Sequence, residues 1–137
     1  AALSKSLDTL NEQCNGDIWR VLGSGGDRDR GKRAPLAAAA EGGADHLILT
    51  SDNPRSESPL AIIDDMREGL VNATPVIEVD RARAIEFAIA NARADDCVLI
   101  AGKGHETTQT IGERRLPFDD AVTARLALNR AGKGETT

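Results

Sequence analysis

Four short apolar runs, IWRVLG (Ile18 to Gly23), HLILT (His46 to Thr50), VIEV (Val76 to Val79) and CVLIAG (Cys97 to Gly102), alternate with segments whose apolar residues recur every three or four positions. No other feature constrains the fold as strongly. Runs this short suit strands buried on both faces, and parallel strands need a crossover, usually a helix, between them. The intervening segments supply those helices. Ala34 to Gly42 is alanine-rich, with Pro35 near its start and Gly42 and Gly43 at its end. Ser58 and Pro59 read as an N-cap and first helical residue ahead of Ile62, Ile63, Met66 and Leu70. Ile85, Ala88, Ile89 and Ala92 form the apolar face of a third helix. Leu3, Leu7 and Leu10 predict a short opening helix, and Ala121 to Arg130 a closing one. Between Thr107 and Phe118, the pattern around Gly112 predicts a hairpin or edge strand. The expected fold is α/β: a Rossmann-like three-layer sandwich with a mostly parallel sheet and one antiparallel edge strand.

At 137 residues the chain accommodates one domain with one sizeable core. Its 17 Lys and Arg against 22 Asp and Glu leave a net charge of -5, so nucleic acid is not an expected partner. Trp19, Phe87 and Phe118 are the only aromatics, too few to build stacking platforms for bases. No apolar run approaches the ~20 residues that cross a bilayer, so membrane insertion is not expected. Cys14 and Cys97 lie far apart without metal-ligand spacing and without a secretory leader upstream, and read as free thiols in a reducing cytoplasm. Two histidines and no cysteine cluster argue against a zinc site, and no metal ligand is assigned. His46, at the start of a strand, reads as structural. AGKGHETT (Ala101 to Thr108) is echoed by AGKGETT (Ala131 to Thr137), but nothing between the copies repeats. Residues 1–130 are taken as the domain and 131–137 as a disordered tail.

In parallel α/β folds the loops leaving the strand C-termini converge on the ligand crevice. Three unusual loops follow expected strands: GSGGDRDRGKR (Gly23 to Arg33), TSDNPRSE (Thr50 to Glu57) and AGKGHETT. They are expected to share one edge of the sheet. The first contains G-x-x-x-x-G-K, Gly26 to Lys32, the spacing of a phosphate-binding loop, but Arg33 stands where that motif needs a magnesium-binding hydroxyl. Asp27 and Asp29 would also repel a polyphosphate. The alternatives are a tight strand-to-helix turn with solvated charges, or an anion site in which Arg28, Lys32 or Arg33 grips a carboxylate or phosphate at the helix N-terminus. DNPR (Asp52 to Arg55) suits an ordinary turn, or a rigid one that presents Asn53 and the planar fork of Arg55. GKGHE (Gly102 to Glu106) offers exposed backbone, an anion at Glu106 and a group at His105 that titrates near neutrality. Cations at Arg28 and Arg55, an amide at Asn53 and an anion at Glu106 together complement a zwitterion, of which a small amino acid is the simplest.

GGDRDRGKR, DNPR and GKGHE, in this order and at these separations over nearly the whole chain, resemble the C-terminal domain of the diaminopimelate-adding Mur ligases, the MurE family. The resemblance implies an ATP-dependent amide ligase of peptidoglycan synthesis that adds meso-diaminopimelate to UDP-N-acetylmuramoyl-L-alanyl-D-glutamate, with this domain binding the amino acid and closing on ATP. By motif, Arg28, Asn53, Arg55, Gly102 and Glu106 line the amino-acid site, Asp52 and Pro54 hold the loop, and Lys32 faces the phosphates across a cleft. The resemblance further implies that ATP and Mg2+ are bound mainly by a central domain outside this chain, that the UDP-dipeptide contacts other domains, and that the chain alone is inactive. The reading from the residues alone, a free-standing amino-acid or nucleotide binding module, predicts affinity without other domains. Two positions depart from the family pattern: Ala34 precedes Pro35 where proline directly follows GKR, and Thr108 stands where an aromatic is common.

Overall fold

The computed structural model describes residues 2–3, 14–26, 29–72, 74–101, 108–111 and 114–117, with side chains described from 14 to 100. Seven strands are present among them: β1 Ala2–Leu3, β2 Ile18–Ser24, β3 His46–Ser51, β4 Val76–Ile77, β5 Cys97–Ala101, β6 Thr108–Ile111 and β7 Arg114–Pro117. The helices are α1 Arg33–Glu41, α2 Pro59–Arg67 and α3 Arg81–Asn91, with a 3-10 turn at Arg30–Lys32. The first five strands form one sheet in the order β1-β5-β2-β3-β4, parallel throughout. The antiparallel component takes the hairpin form, β6 against β7 as a two-stranded ladder of its own.

Strand periodicity separates the two faces of the sheet. Trp19, Val21, Ile48 and Val98 point to one side and pack under Ala84, Ile85, Ala88 and Ile89 of α3. Leu22, Leu47 and Leu49 point to the other, under Ala37 and Ala40 of α1 and Ile62, Ile63 and Met66 of α2. Helices therefore cover both faces, and the sandwich has three layers. Alanines of α1 and α3, Ala37, Ala40, Ala84 and Ala88, are fully buried in these layers.

One segment differs from the sequence reading. Leu3 lies in strand β1, opposite Val98, rather than in a helix. An extended dipeptide satisfies the otherwise open backbone groups along the outer edge of β5, a tertiary gain that a three-leucine periodicity cannot register. Leu7, Leu10, the Ala121 to Arg130 helix and the 131–137 tail lie outside the described residues. At the opposite edge β4 is only two residues long, and Val76 and Ile77 stay exposed there.

The two ends of the sheet carry opposite chemistry. At the N-terminal end, carboxylates satisfy backbone amides: Asp45 accepts from Ile18 N at 2.8 Å, and Asp96 accepts from Asp17 N, Arg93 N and Trp19 Nε1 at 2.9, 2.9 and 3.0 Å. Burial favours the neutral acid at Asp96, yet these three donors outweigh it and hold the carboxyl below its usual range. His46 completes this end as a structural residue, stacked 3.9 Å from the Trp19 ring and 3.0 Å from Asp17 Oδ2. Both cysteines are free thiols, Cys97 buried and Cys14 half-buried.

Candidate functional site

Strands β5, β2 and β3 are neighbours with matched registers, Leu22 opposite Ala101 and Ser24 opposite Ser51. The strand ends from which the loops leave therefore lie side by side at the C-terminal edge. All three unusual loops of the sequence start there, as expected. The chain moves from β2 outward to β3 and β4, then crosses back to β5 on the other side of β2. That reversal marks the crevice position of doubly wound sheets.

The β2 and β3 loops touch through backbone. Gly26 N donates to Asn53 O at 2.7 Å, and a Cβ at Gly26 would sit 1.8 Å from the Pro54 carbonyl oxygen. Only glycine permits that approach. Asp52, Asn53 and Pro54 are buried, while Arg55 is half-buried. Glu57 N closes a turn onto Pro54 O at 3.0 Å, and Arg55 at its second position has φ 53°, the left-handed region that favours glycine. An arginine there carries strain of about 1–3 kcal/mol, held by its surroundings. Its Nη1 donates to Gly26 O at 2.9 Å and Asn53 O at 3.4 Å. Among the described residues these partners are neutral carbonyls, and no carboxylate pairs with its charge.

Arg33 behaves differently. It is 1% exposed, Nη1 donates to Asp65 Oδ2 at 2.9 Å, Nη2 donates to Gly25 O at 3.1 Å, and Nη2 also pairs with Glu57 Oε2. Two carboxylates and a carbonyl engage both terminal nitrogens. The possibility that Arg33 grips an external anion is therefore corrected: its charge is matched from within, by acids 24 and 32 residues further along the chain. Burial opposes the charged form of Arg33, but hydrogen bonds to Glu57 and Asp65 prevail and raise its pKa. The residue that stands where a phosphate loop needs a hydroxyl is thus engaged in an internal ion pair. Lys32 lies exposed in the 3-10 turn before α1, where Asp29 Oδ1 accepts from Gly31 N at 2.9 Å.

Hydrogen bonds from Arg30 and Arg33 hold the Asp65 carboxyl below its usual range. A depressed folded pKa contributes stability that is fully present above the unfolded value of about 3.9 and is lost as pH falls through the folded value. The melting temperature is expected to fall on acidification below about pH 4, and Asp65→Asn to flatten that slope. Thermal melts across pH 2 to 7, roughly the range in which carboxylates titrate, check this, and an unaltered slope in the variant would count against it.

Arg81, at the start of α3, is missed by sequence reasoning: it is 1% exposed and its Nη1 donates to Ser51 O at 3.2 Å. Strand C-termini leave carbonyls unpaired, and arginine, with five donors and no acceptor, is suited to take them. Arg33, Arg55 and Arg81 all do so at this edge. No sequence pattern marks a buried arginine.

Of the site residues expected from sequence, Asp52, Asn53, Pro54 and Arg55 are consecutive on the β3 loop, the last two opening the turn closed by Glu57 N, and Lys32 stands on the adjoining β2 loop. Arg28, Gly102 and Glu106 lie outside the described residues, although Ala101, which precedes Gly102, is the last residue of β5, beside β2. Among the described residues no group of three His, Cys, Asp or Glu could hold a metal ion, and no helix is long and apolar enough to cross a membrane.

Residues 1–104 match the family model described as Mur ligase, glutamate ligase domain. The chain belongs to this family. This Mur ligase domain is 56% identical over 128 residues to the UDP-N-acetylmuramoyl-L-alanyl-D-glutamate--2,6-diaminopimelate ligase of Coxiella burnetii, covering 93% of this chain and 26% of that protein. It is 50% identical over 134 residues to the ligase of the same name from Chromobacterium violaceum, covering 96% and 27%. A solved structure of a ligase of that name superposes with a TM-score of 0.87 at 45% identity, over 92% of this chain and 26% of that one. The Mur ligase domain thus spans about a quarter of the length of the curated relatives it matches.

Proposed function

We propose that this chain is the C-terminal amino-acid-binding and ATP-closing domain of an ATP-dependent ligase that joins meso-diaminopimelate to UDP-N-acetylmuramoyl-L-alanyl-D-glutamate in peptidoglycan synthesis. The observation that carries the reading is Arg55: a left-handed, half-buried arginine on the crevice edge whose hydrogen bonds go only to neutral carbonyls among the described residues. A cation held so, against its backbone preference, is primed for an external carboxylate. Diaminopimelate ends in a second amino-acid head, whose carboxylate matches an arginine fork. Lysine ends in a bare ammonium, which Arg55 repels.

Arg28 joins Arg55 on the carboxylate, Asn53 adds hydrogen bonds, and the Gly102 carbonyl with Glu106 takes the ammonium. Asp52 and Pro54 hold the turn, and Lys32 faces the phosphates across the cleft. The reaction proceeds through phosphoryl transfer from ATP to the glutamate side-chain carboxylate, releasing ADP. The amine of diaminopimelate then attacks the acyl phosphate, forming the amide bond and expelling phosphate, and loses a proton. The domain's share is orientation: it fixes the nucleophile's carrier and closes on the nucleotide, which excludes water from the acyl phosphate. ATP and Mg2+ bind mainly on the remainder of the polypeptide. The site of action is the cytoplasm, where ATP and the nucleotide sugar are available.

The test is turnover by the full-length polypeptide with ATP and the UDP-dipeptide. Meso-diaminopimelate should yield ADP, phosphate and the UDP-tripeptide, with kcat/KM roughly a hundredfold or more above that for L-lysine, and the 137-residue chain alone should yield none. Equal use of lysine would refute the specificity, and turnover by the chain alone would refute the division of labour.

A further inference from the structure

Arg33 lies between the two loops that touch at Gly26. Its Nη2 holds Gly25 O, one residue from the Gly26 carbonyl on which Arg55 rests, and pairs with Glu57, whose backbone amide closes the Pro54 turn. Asp65, on α2, fixes the other nitrogen at 2.9 Å. The guanidinium thus ties three segments together: the β2 loop, the end of the Asn53–Arg55 turn, and α2. A buried ion pair adds little net stability over an apolar isostere of the same volume. Its consequence here lies in geometry, because planar donors address the carbonyl and the two carboxylates at once, which a lysine ammonium cannot reproduce. Arg30 also reaches Asp65, at 3.1 Å, but is 67% exposed and peripheral.

We propose that Arg33, clamped by Glu57 and Asp65, is a positioning residue that sets the seat of Arg55 and through it the affinity for the carboxylate-bearing end of the amino acid. This rests on the function proposed above for the Asn53–Arg55 turn. Arg33 itself does not touch the ligand. It fixes where the Gly26 carbonyl lies, and the Gly26 carbonyl fixes where Arg55 Nη1 lies.

The test uses the full-length polypeptide that carries this domain, as wild type, Arg33→Lys, Glu57→Gln and Arg30→Ala, each examined by thermal melt, amide hydrogen exchange and meso-diaminopimelate titration. In Arg33→Lys and Glu57→Gln the Gly26 amide should exchange roughly tenfold faster and Kd should rise roughly tenfold, the scale of losing an orienting partner. Arg30→Ala should match wild type in both. Glu57→Gln is nearly isosteric at a part-exposed position, so it carries the test if Arg33→Lys does not fold. If wild type binds and both variants bind equally well with Gly26 still protected, the proposal is overturned while the functional reading stands. If wild type does not bind, the functional reading fails instead, and Gly26 exchange decides: acceleration in Glu57→Gln upholds the positioning role, and unchanged exchange overturns it.

Discussion

Gly26→Ala is expected to abolish measurable meso-diaminopimelate binding while leaving the parallel sheet folded. A Cβ there would meet the Pro54 carbonyl oxygen at 1.8 Å, the Pro54 carbonyl carbon at 2.6 Å and Glu57 Oε2 at 3.1 Å. Two of these atoms are backbone, so no side-chain rotation relieves the contact, and the loops must part by more than an ångström. The same residue donates to Asn53 O and accepts from Arg55, so both bonds lengthen together. Overpacking of this kind costs about 1–3 kcal/mol in stability. Binding should suffer more, because misplacing a positioned group by about 1 Å costs on the order of a hundredfold. The core clusters on both faces of the sheet do not include the loop, so the far-ultraviolet circular dichroism should remain that of the wild type. Wild-type affinity in a folded Gly26→Ala chain would contradict the placement of the site.

Arg55→Gly should separate stability from binding. Glycine removes the left-handed strain, worth about 1–3 kcal/mol at a non-glycine residue. Against that stand the lost charge-assisted hydrogen bonds to Gly26 O and Asn53 O, about 1.5–3 kcal/mol, and the extra freedom of glycine in the unfolded chain, about 1 kcal/mol. These nearly offset one another, so the melting temperature should move by only a few degrees, roughly the shift of a net 1 kcal/mol. Affinity should nevertheless fall roughly a hundredfold, because the fork that meets the carboxylate is gone. Gly26→Ala loses stability and binding together, whereas Arg55→Gly loses binding alone. A large stability loss in Arg55→Gly would assign Arg55 to the scaffold instead of the ligand.

The layered architecture was legible because burial on both faces imprints itself on consecutive residues: Ile62, Ile63 and Met66, and likewise Ile85, Ala88 and Ile89, are buried as their periodicity predicts. The convergence of three loops on one edge followed from parallel connectivity. What escaped were pairings made by the fold. Arg33 reads as a free cation in the string GKR, because its partners, Glu57 and Asp65, arrive on a different loop and helix. Arg81 has no mark in the sequence, yet it is buried against Ser51 O. The left-handed backbone of Arg55 has no sequence mark, since glycine would be the expected residue at that φ. The strand at Leu3 has no sequence mark either, since two residues are too short for any period to reveal.

The most direct measurement is an amide NMR titration of the full-length polypeptide, read at the amides of this domain, with meso-diaminopimelate and, separately, with L-lysine. Shifts at Gly26, Asn53 and Arg55 that saturate with diaminopimelate and are absent with lysine are the predicted result. Saturating shifts with lysine at those amides, or diaminopimelate shifts confined to the opposite edge near Asp45 and Asp96, would contradict the account.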